Sequence, residues 1–181
     1  MWGTGIRPSE ACNLLDSDGD VNLGLIHIRE TKFSKNRCLP IHDSVIAKLR
    51  NYRNKRDALR NNFTDSHFFI MTSGKPLILR NFEYSLQLTR NSLLPEHGHW
   101  NRRPPRLYDI RHSFACRTLH RWHQEGVNVN NRLAYLSTYM GHVKIADTYW
   151  YLTGTPELLQ YASNAFDEFF NGQGGAADET Q

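Results

Sequence analysis

The sequence has no run of about 18 apolar residues, the length a helix needs to cross a bilayer, so no membrane-spanning helix is expected. No secretory leader is read at its start. Cysteine is sparse: Cys12, Cys38 and Cys116 stand far apart without a CxxC pair. That spacing argues against a disulfide framework or a zinc ribbon, and suits reduced thiols in the cytoplasm. His97, His99 and His123 lack ligand spacing, so no metal site is expected. Internal repeats are absent. What is present is a chain of 181 residues, enough for one domain with its own core. Its 22 Lys and Arg exceed 18 Asp and Glu, a formal net charge of +4 with nine further histidines. A basic balance of this kind suggests a polyanionic partner such as nucleic acid.

The pattern along the chain predicts an α+β protein, mainly α-helical, with a small antiparallel sheet or hairpin at its edge. Pro8-Ser9-Glu10 suits a first helical turn, since Pro is tolerated there and the helix dipole favours an acid. That helix turns Ala11, Leu14 and Leu15 inward and ends at the turn cluster Asp16–Asp20. Two β-rich runs, 23–28 and 37–41, flank a basic tip and predict a hairpin. A helix over about 44–60 carries Val45, Ile46, Leu49, Tyr52 and Leu59 as its apolar stripe, with its arginines and lysines on the solvated face. Residues 67–71 read as a strand and 72–76 as a turn. Further helices are expected over about 80–93, 108–124, 130–140, 144–151 and 156–170, with the Pro- and His-containing stretch 94–106 as a loop. Tyr149 and Trp150 are expected in the core. The polar, glycine-rich end, 171–181, reads as a disordered tail.

The chemistry is concentrated in a histidine followed nine residues later by a tyrosine, His142 and Tyr151. A tyrosine hydroxyl ordinarily titrates near pH 10 and is a poor nucleophile at neutral pH. It becomes useful where cations gather around the group it attacks, and phosphate is the obvious candidate. The cations are found in Thr4-Gly5-Ile6-Arg7-Pro8-Ser9-Glu10, in Thr31-Lys32, and in Tyr108-Asp109-Ile110-Arg111-His112, ahead of Met140-Gly141-His142 and Tyr151. In order and spacing these pieces resemble the catalytic domain of the tyrosine recombinases, the phage-integrase family. That family shows Thr-Gly-x-Arg-x-x-Glu, a hairpin lysine, His-x-x-Arg-His, Leu-Gly-His, and a tyrosine nine residues further on. The resemblance covers about residues 3–160.

The resemblance implies the fold of that catalytic domain and a set of roles. Arg7 and Arg111 match the arginines that clamp the non-bridging oxygens of the scissile phosphate, a task suited to a planar fork that stays charged. Lys32 matches the lysine that protonates the departing 5′-oxygen, and Lys35, at the same tip, takes that place if the register is shifted. His142 matches the histidine that hydrogen-bonds the phosphate and helps take the nucleophile's proton. Tyr151 matches the nucleophile that forms a 3′-phosphotyrosyl link, a reaction that needs neither ATP nor metal and hence no cofactor. Glu10 and His112 match supporting positions. Tyr108 departs from the family's usual histidine; a phenol still donates a hydrogen bond to phosphate but carries no positive charge, so the catalyst is expected to be weakened or altered. Arg102, Arg103 and Arg106 are candidates for tracking a DNA backbone.

The resemblance further implies that residues 1–170 form a DNA breaking-rejoining domain without its first helices and without the N-terminal DNA-clamping domain. A one-sided clamp of this kind is expected to bind double-stranded DNA weakly and with little sequence specificity. The helix over 156–170 is expected to dock on a neighbouring copy, giving a tetramer on DNA that associates with the nucleoid and not with a membrane. Two rival functions share these residues: an inactive DNA-binding remnant, and a type IB topoisomerase-like nicking-closing enzyme.

Overall fold

The computed structural model describes residues 1–20, 22–29, 36–59, 66–93 and 104–153, together with the single positions 159, 160, 163, 164 and 167. Its elements run, in order, α1 (Pro8–Cys12), a 3-10 turn (Asp16–Asp18), β1 (Gly19–Asp20), β2 (Leu25–Ile28), β3 (Arg37–Pro40), α2 (Asp43–Leu59), α3 (Leu79–Leu93), α4 (Leu107–Gln124), α5 (Val129–Met140), α6 (Ala146–Tyr149) and a 3-10 turn (Trp150–Thr153). The chain divides into two units, Met1–Phe114 and Ala115–Gln181, with the boundary inside α4. Among the described residues no helix is long and apolar enough to cross a membrane. The expected mainly helical α+β class is the one observed.

In the first unit an antiparallel sheet of order β1-β2-β3 pairs Gly19 with Ile26 and Leu25 with Pro40. The short strand β1 lies where a turn was expected. Asp20 ends it by accepting hydrogen bonds from the Asn22 and Leu23 backbone N–H groups at 3.0 and 2.9 Å, the local capping typical of Asp in turns. Gly24 follows at φ +67°, a left-handed conformation natural to glycine. Alternation along β2 turns Ile26 and Ile28 inward, where they join Ile6, Leu14, Leu39 and Phe68 in the core.

The expected strand over 67–71 is not formed; its polar groups are satisfied piecemeal. Single bridges link Leu15 with His67 and Ile70 with Pro76. The Phe68 carbonyl accepts from Arg56 Nη1 at 2.7 Å, and the Ile70 N–H donates to the Tyr52 hydroxyl at 3.0 Å. With side chains holding these groups, no continuous ladder partner is needed. The same contacts correct the reading of the 44–60 helix, since Arg56 is buried inside it and not on a solvated face.

The second unit is built on α5, whose Val129, Leu133, Leu136 and Met140 recur at helical spacing and are all buried. Asn128 caps it by accepting from the Asn131 N–H at 3.3 Å. Ala115, Cys116 and Leu119 of α4, with Tyr151 and Leu152, are also buried. The expected helix over 144–151 is instead a single α-turn that tightens into the 3-10 turn at Trp150. Tyr149 and Trp150, expected in the core, are 49% and 70% exposed. A turn of four helical residues has one inward face, and Thr148 and Tyr151 occupy it. The helix expected over 156–170 and the tail 171–181 lie outside the described residues, apart from single helical positions 159, 160, 163, 164 and 167.

Candidate active site

Arg7 stands just ahead of α1 in an extended conformation, and Pro8 pre-sets the first helical φ behind it. Glu10, one turn into the helix, reaches back. Its Oε2 accepts from the Arg7 backbone N–H and its Oε1 from Arg7 Nη1, both at 2.8 Å. The same carboxylate takes a fork from β3: Arg37 Nη1 donates to Oε1 at 2.9 Å and Nη2 to Oε2 at 2.8 Å. Glu10 is buried, and Arg37 is nearly so, with a side chain only 11% exposed. Burial alone pushes the Glu10 carboxyl up. The hydrogen bonds from Arg37 and Arg7 outweigh it and hold the group at about 2. Glu10 is therefore ionised across the physiological range, and the Arg7 guanidinium is pinned at one edge.

Arg111 comes to the same stretch from α4. It is 4% exposed and donates from Nη1 to the Gly5 carbonyl at 2.5 Å. Gly5 sits at φ +60°, and a Cβ there would run into the Phe114 ring. Glycine is thus required twice, for its backbone conformation and for the close approach. Around residues 5–10 the described groups comprise three guanidinium ions and one carboxylate, an excess of two positive charges.

One turn before Arg111 on α4, Tyr108 is 54% exposed. Arg106 is exposed and paired: its backbone N–H donates to Asp109 Oδ2 at 2.7 Å and its Nη2 lies 3.4 Å from Oδ1. His112 is half-buried.

In the second unit α5 ends at Gly141, which takes the left-handed conformation (φ 70°, ψ 42°) and closes the helix with bonds to the Ser137 and Thr138 carbonyls. The next residue, His142, donates its backbone N–H to Ser137 O at 3.0 Å. Its Nδ1 lies 2.7 Å from Thr148 Oγ1, and Thr148 is wholly buried. The His142 and Tyr151 rings stack with centroids 5.8 Å apart and planes 18° from parallel. Tyr151 is 9% exposed, and its carbonyl accepts a weak bond from Cys116 Sγ at 3.6 Å. Burial pushes the Cys116 thiol up, which keeps the donor proton in place.

Of the residues singled out from sequence, Arg7, Glu10 and Arg111 gather around residues 5–10 in the first unit, and His142 and Tyr151 stack in the second. Lys32, Lys35, Arg102 and Arg103 lie outside the described residues. Sequence reasoning missed Arg37, Thr148 and Cys116. Arg37 opens a strand 27 residues from Glu10 in sequence, and no local periodicity signals a partner at that distance. Thr148 carried a weak signal: it lies six residues after His142 and on the same side of the turn as Tyr151. Chemically, the first cluster favours an anion, and the second offers a phenol beside an oriented imidazole.

The family description that matches this chain is "Phage integrase family", over residues 1–157. A protein named as an integrase/recombinase, y4rB of Sinorhizobium fredii, is 39% identical over 165 residues, which cover 88% of this chain and 51% of that one. Tyrosine recombinase XerA of Pyrococcus furiosus is 27% identical over 176 residues, covering 96% of this chain and 55% of that one. Among solved structures, a XerA recombinase superposes with a TM-score of 0.68 at 21% identity, covering 90% of this chain and 54% of the other. The Tn1549 transposon integrase, solved with a circular intermediate DNA, gives 0.69 at 21% identity over 83% of this chain and 51% of its own. These superpositions share the fold. The chain spans about half the length of the curated relatives it matches.

Proposed function

The chain belongs to the phage integrase family, and we propose that it is the catalytic part of a site-specific recombinase. It cuts and rejoins double-stranded DNA through a 3′-phosphotyrosyl intermediate. Arg7 and Arg111 hold the non-bridging oxygens of the scissile phosphate, where charge builds in the pentavalent transition state. Cations placed there beforehand stabilise that state more than the ground state. His142 contacts the same phosphate. Tyr151 passes its proton to His142 and attacks phosphorus, and Lys32 protonates the 5′-oxygen as it leaves. The 5′-hydroxyl of a second strand reverses the link. Glu10 orients Arg7, and His112 supports Arg111. Lys35, Arg102, Arg103 and Arg106 follow the DNA backbone. Copies of the chain assemble on DNA through residues 156–170, at the nucleoid.

The observation that supports this reading is the convergence of guanidinium groups on residues 5–10, Arg7 and Arg37 on Glu10 and Arg111 on the Gly5 carbonyl, because positive charge fixed in one place favours an anion. A nicked duplex that releases its short 5′ product, and so traps the covalent intermediate, tests it. The expected result is a protein–DNA adduct stable to denaturant, absent in Tyr151→Phe. No adduct on any duplex overturns the recombinase reading. Relaxation of arbitrary supercoiled plasmid by the same chain would assign the chemistry to a nicking-closing enzyme instead.

A further inference from the structure

Two arginines share the Glu10 carboxylate, and they hold it differently. Arg37 places Nη1 on Oε1 and Nη2 on Oε2, at 2.9 and 2.8 Å, the parallel fork that joins a guanidinium most strongly to a carboxylate. Arg7 reaches Oε1 through Nη1, while its bond to Oε2 comes from the backbone N–H. Burial runs in the same order: the Glu10 side chain is 6% exposed, that of Arg37 11% and that of Arg7 25%. The inner pair is Arg37 with Glu10, and Arg7 is the most exposed of the three.

Local structure gives Glu10 little support of its own. It stands on α1, a helix of five residues, too short to be stable by itself. Arg37 opens β3 and lies opposite Ile28 in the β2–β3 ladder. Its fork ties this single turn to a strand 27 residues away, and Glu10 passes the constraint back to Arg7, three residues before it. Against burial, which pushes the Glu10 carboxyl up, the Arg37 bonds are the largest opposing pull, ahead of both from Arg7. The order of dependence therefore runs from strand to carboxylate to Arg7.

We infer that Arg37 is a positioning residue: through Glu10 it fixes the direction in which Arg7 presents its guanidinium, and it does not act on substrate itself. The chain of contacts from Arg37 to Arg7 stands on the geometry alone. That the group Arg7 meets is the scissile phosphate rests on the recombinase reading.

Nitrogen-15 NMR of the arginine Nε–H groups in the full labelled chain reads how firmly Arg7 is held, with no DNA present. Wild type is expected to show an ordered Arg7 signal and Arg37→Gln an averaged one. Arg37→Lys keeps the charge without the fork and is expected to lie between them. On the nicked duplex at saturating DNA, Arg37→Gln is expected to form adduct about tenfold to a hundredfold more slowly, the effect of a misplaced group. In a Glu10→Gln background the same change is expected to add nothing. A duplex with a methylphosphonate at the scissile position replaces one charged oxygen by a neutral methyl and asks less of the arginines. The deficit of Arg37→Gln is expected to shrink there together with that of Arg7→Ala. A deficit that stays the same size while that of Arg7→Ala shrinks means a merely structural role and overturns the inference. So does an Arg7 signal equally ordered in Arg37→Gln, or a double variant slowed by the product of the two effects. Should Arg37→Gln not fold, Arg37→Lys carries the same tests. If wild type itself forms no adduct, the recombinase reading falls while the Arg7 signal still judges Arg37.

Discussion

Two buried arginine networks in the first unit differ in one respect, their charge balance. Around Arg56 the fold supplies every acceptor. Nη1 bonds Asp16 at 2.6 Å and the Phe68 carbonyl at 2.7 Å, and Nε bonds Asp57 at 2.8 Å. Arg53 joins through the Asp16 carbonyl, and both guanidinium groups lie over the Phe68 ring, 5.2 and 5.4 Å from its centroid. Two cations therefore meet two carboxylates. Around residues 5–10 the described groups are three guanidinium ions, two of them on Glu10 and one on the Gly5 carbonyl, and one carboxylate. A balanced buried network is a structural fixture. An unbalanced one keeps Coulomb attraction in reserve for something that arrives from outside, and a low local dielectric makes that attraction strong.

The comparison breaks most sharply on single arginines. Arg111→Ala is expected to lower the rate of covalent adduct formation by about 10²–10³-fold, the usual cost of losing one prepositioned donor. Arg56→Ala is expected to leave the folded fraction's cleavage rate intact and to cost about 3–5 kcal/mol of stability, since Asp16 and the Phe68 carbonyl lose their partner in a buried setting. Denaturant unfolding alongside the nicked-duplex assay separates the two. A cleavage defect in Arg56→Ala that survives correction for folding would erase the distinction between the networks.

These contrasts also mark how far the sequence could be read. Helices α2 to α5 followed from apolar spacing to within a residue or so, because the helical period is local. The candidate residues Arg7, Arg111, His142 and Tyr151 stood in short spaced motifs, so they too were legible. Arg56 and Arg37 were not. Each is an arginine on an element whose pattern predicts a solvated cation, and only its distant carboxylate, Asp16 or Glu10, reverses that reading. Tyr149 and Trp150 failed for the opposite reason: size suggested burial, but this short turn directs Thr148, Tyr151 and Leu152 inward instead. Residues 67–71 failed because their hydrogen bonds are divided among the backbone of Leu14, Lys75 and Leu77 and the side chains of Tyr52 and Arg56, so that no single strand partner runs alongside them.

A second test acts through pH. The Glu10 carboxyl lies at about 2 in the folded chain against an ordinary 4.5. A depressed carboxyl contributes stability that is fully present above its unfolded value and is lost as pH falls from about 4.5 towards 2. The shift corresponds to about 3 kcal/mol at neutral pH as an order of magnitude. Glu10→Gln is expected to remove most of that acid-sensitive stability in urea titrations between these limits. It is also expected to slow adduct formation, because Arg7 loses its anchor. Arg37→Lys is expected to fall between the two, since an ammonium cannot make the bidentate fork. If the stability difference between wild type and Glu10→Gln is the same at pH 7 and pH 3, the carboxylate is not held by these arginines.

The smallest expected effect concerns the edge of the unbalanced network. Tyr108 and Arg111 lie three residues apart on α4, yet Arg111 is 4% exposed and Tyr108 54%. An exposed phenol is solvated by water, so a hydrogen bond from it to a phosphate replaces one already made and gains little net free energy. Tyr108→Phe is therefore expected to change stability by less than about 0.5 kcal/mol and adduct rate by about twofold. Tyr108→His restores the residue that the family usually carries there and adds a group able to hold positive charge. It is expected to raise the rate, and more so on mild acidification, as the imidazole protonates. A loss of tenfold or more in Tyr108→Phe would place the phenol on the phosphate itself, and the boundary between buried clamp and solvated rim would have to move outward to include it.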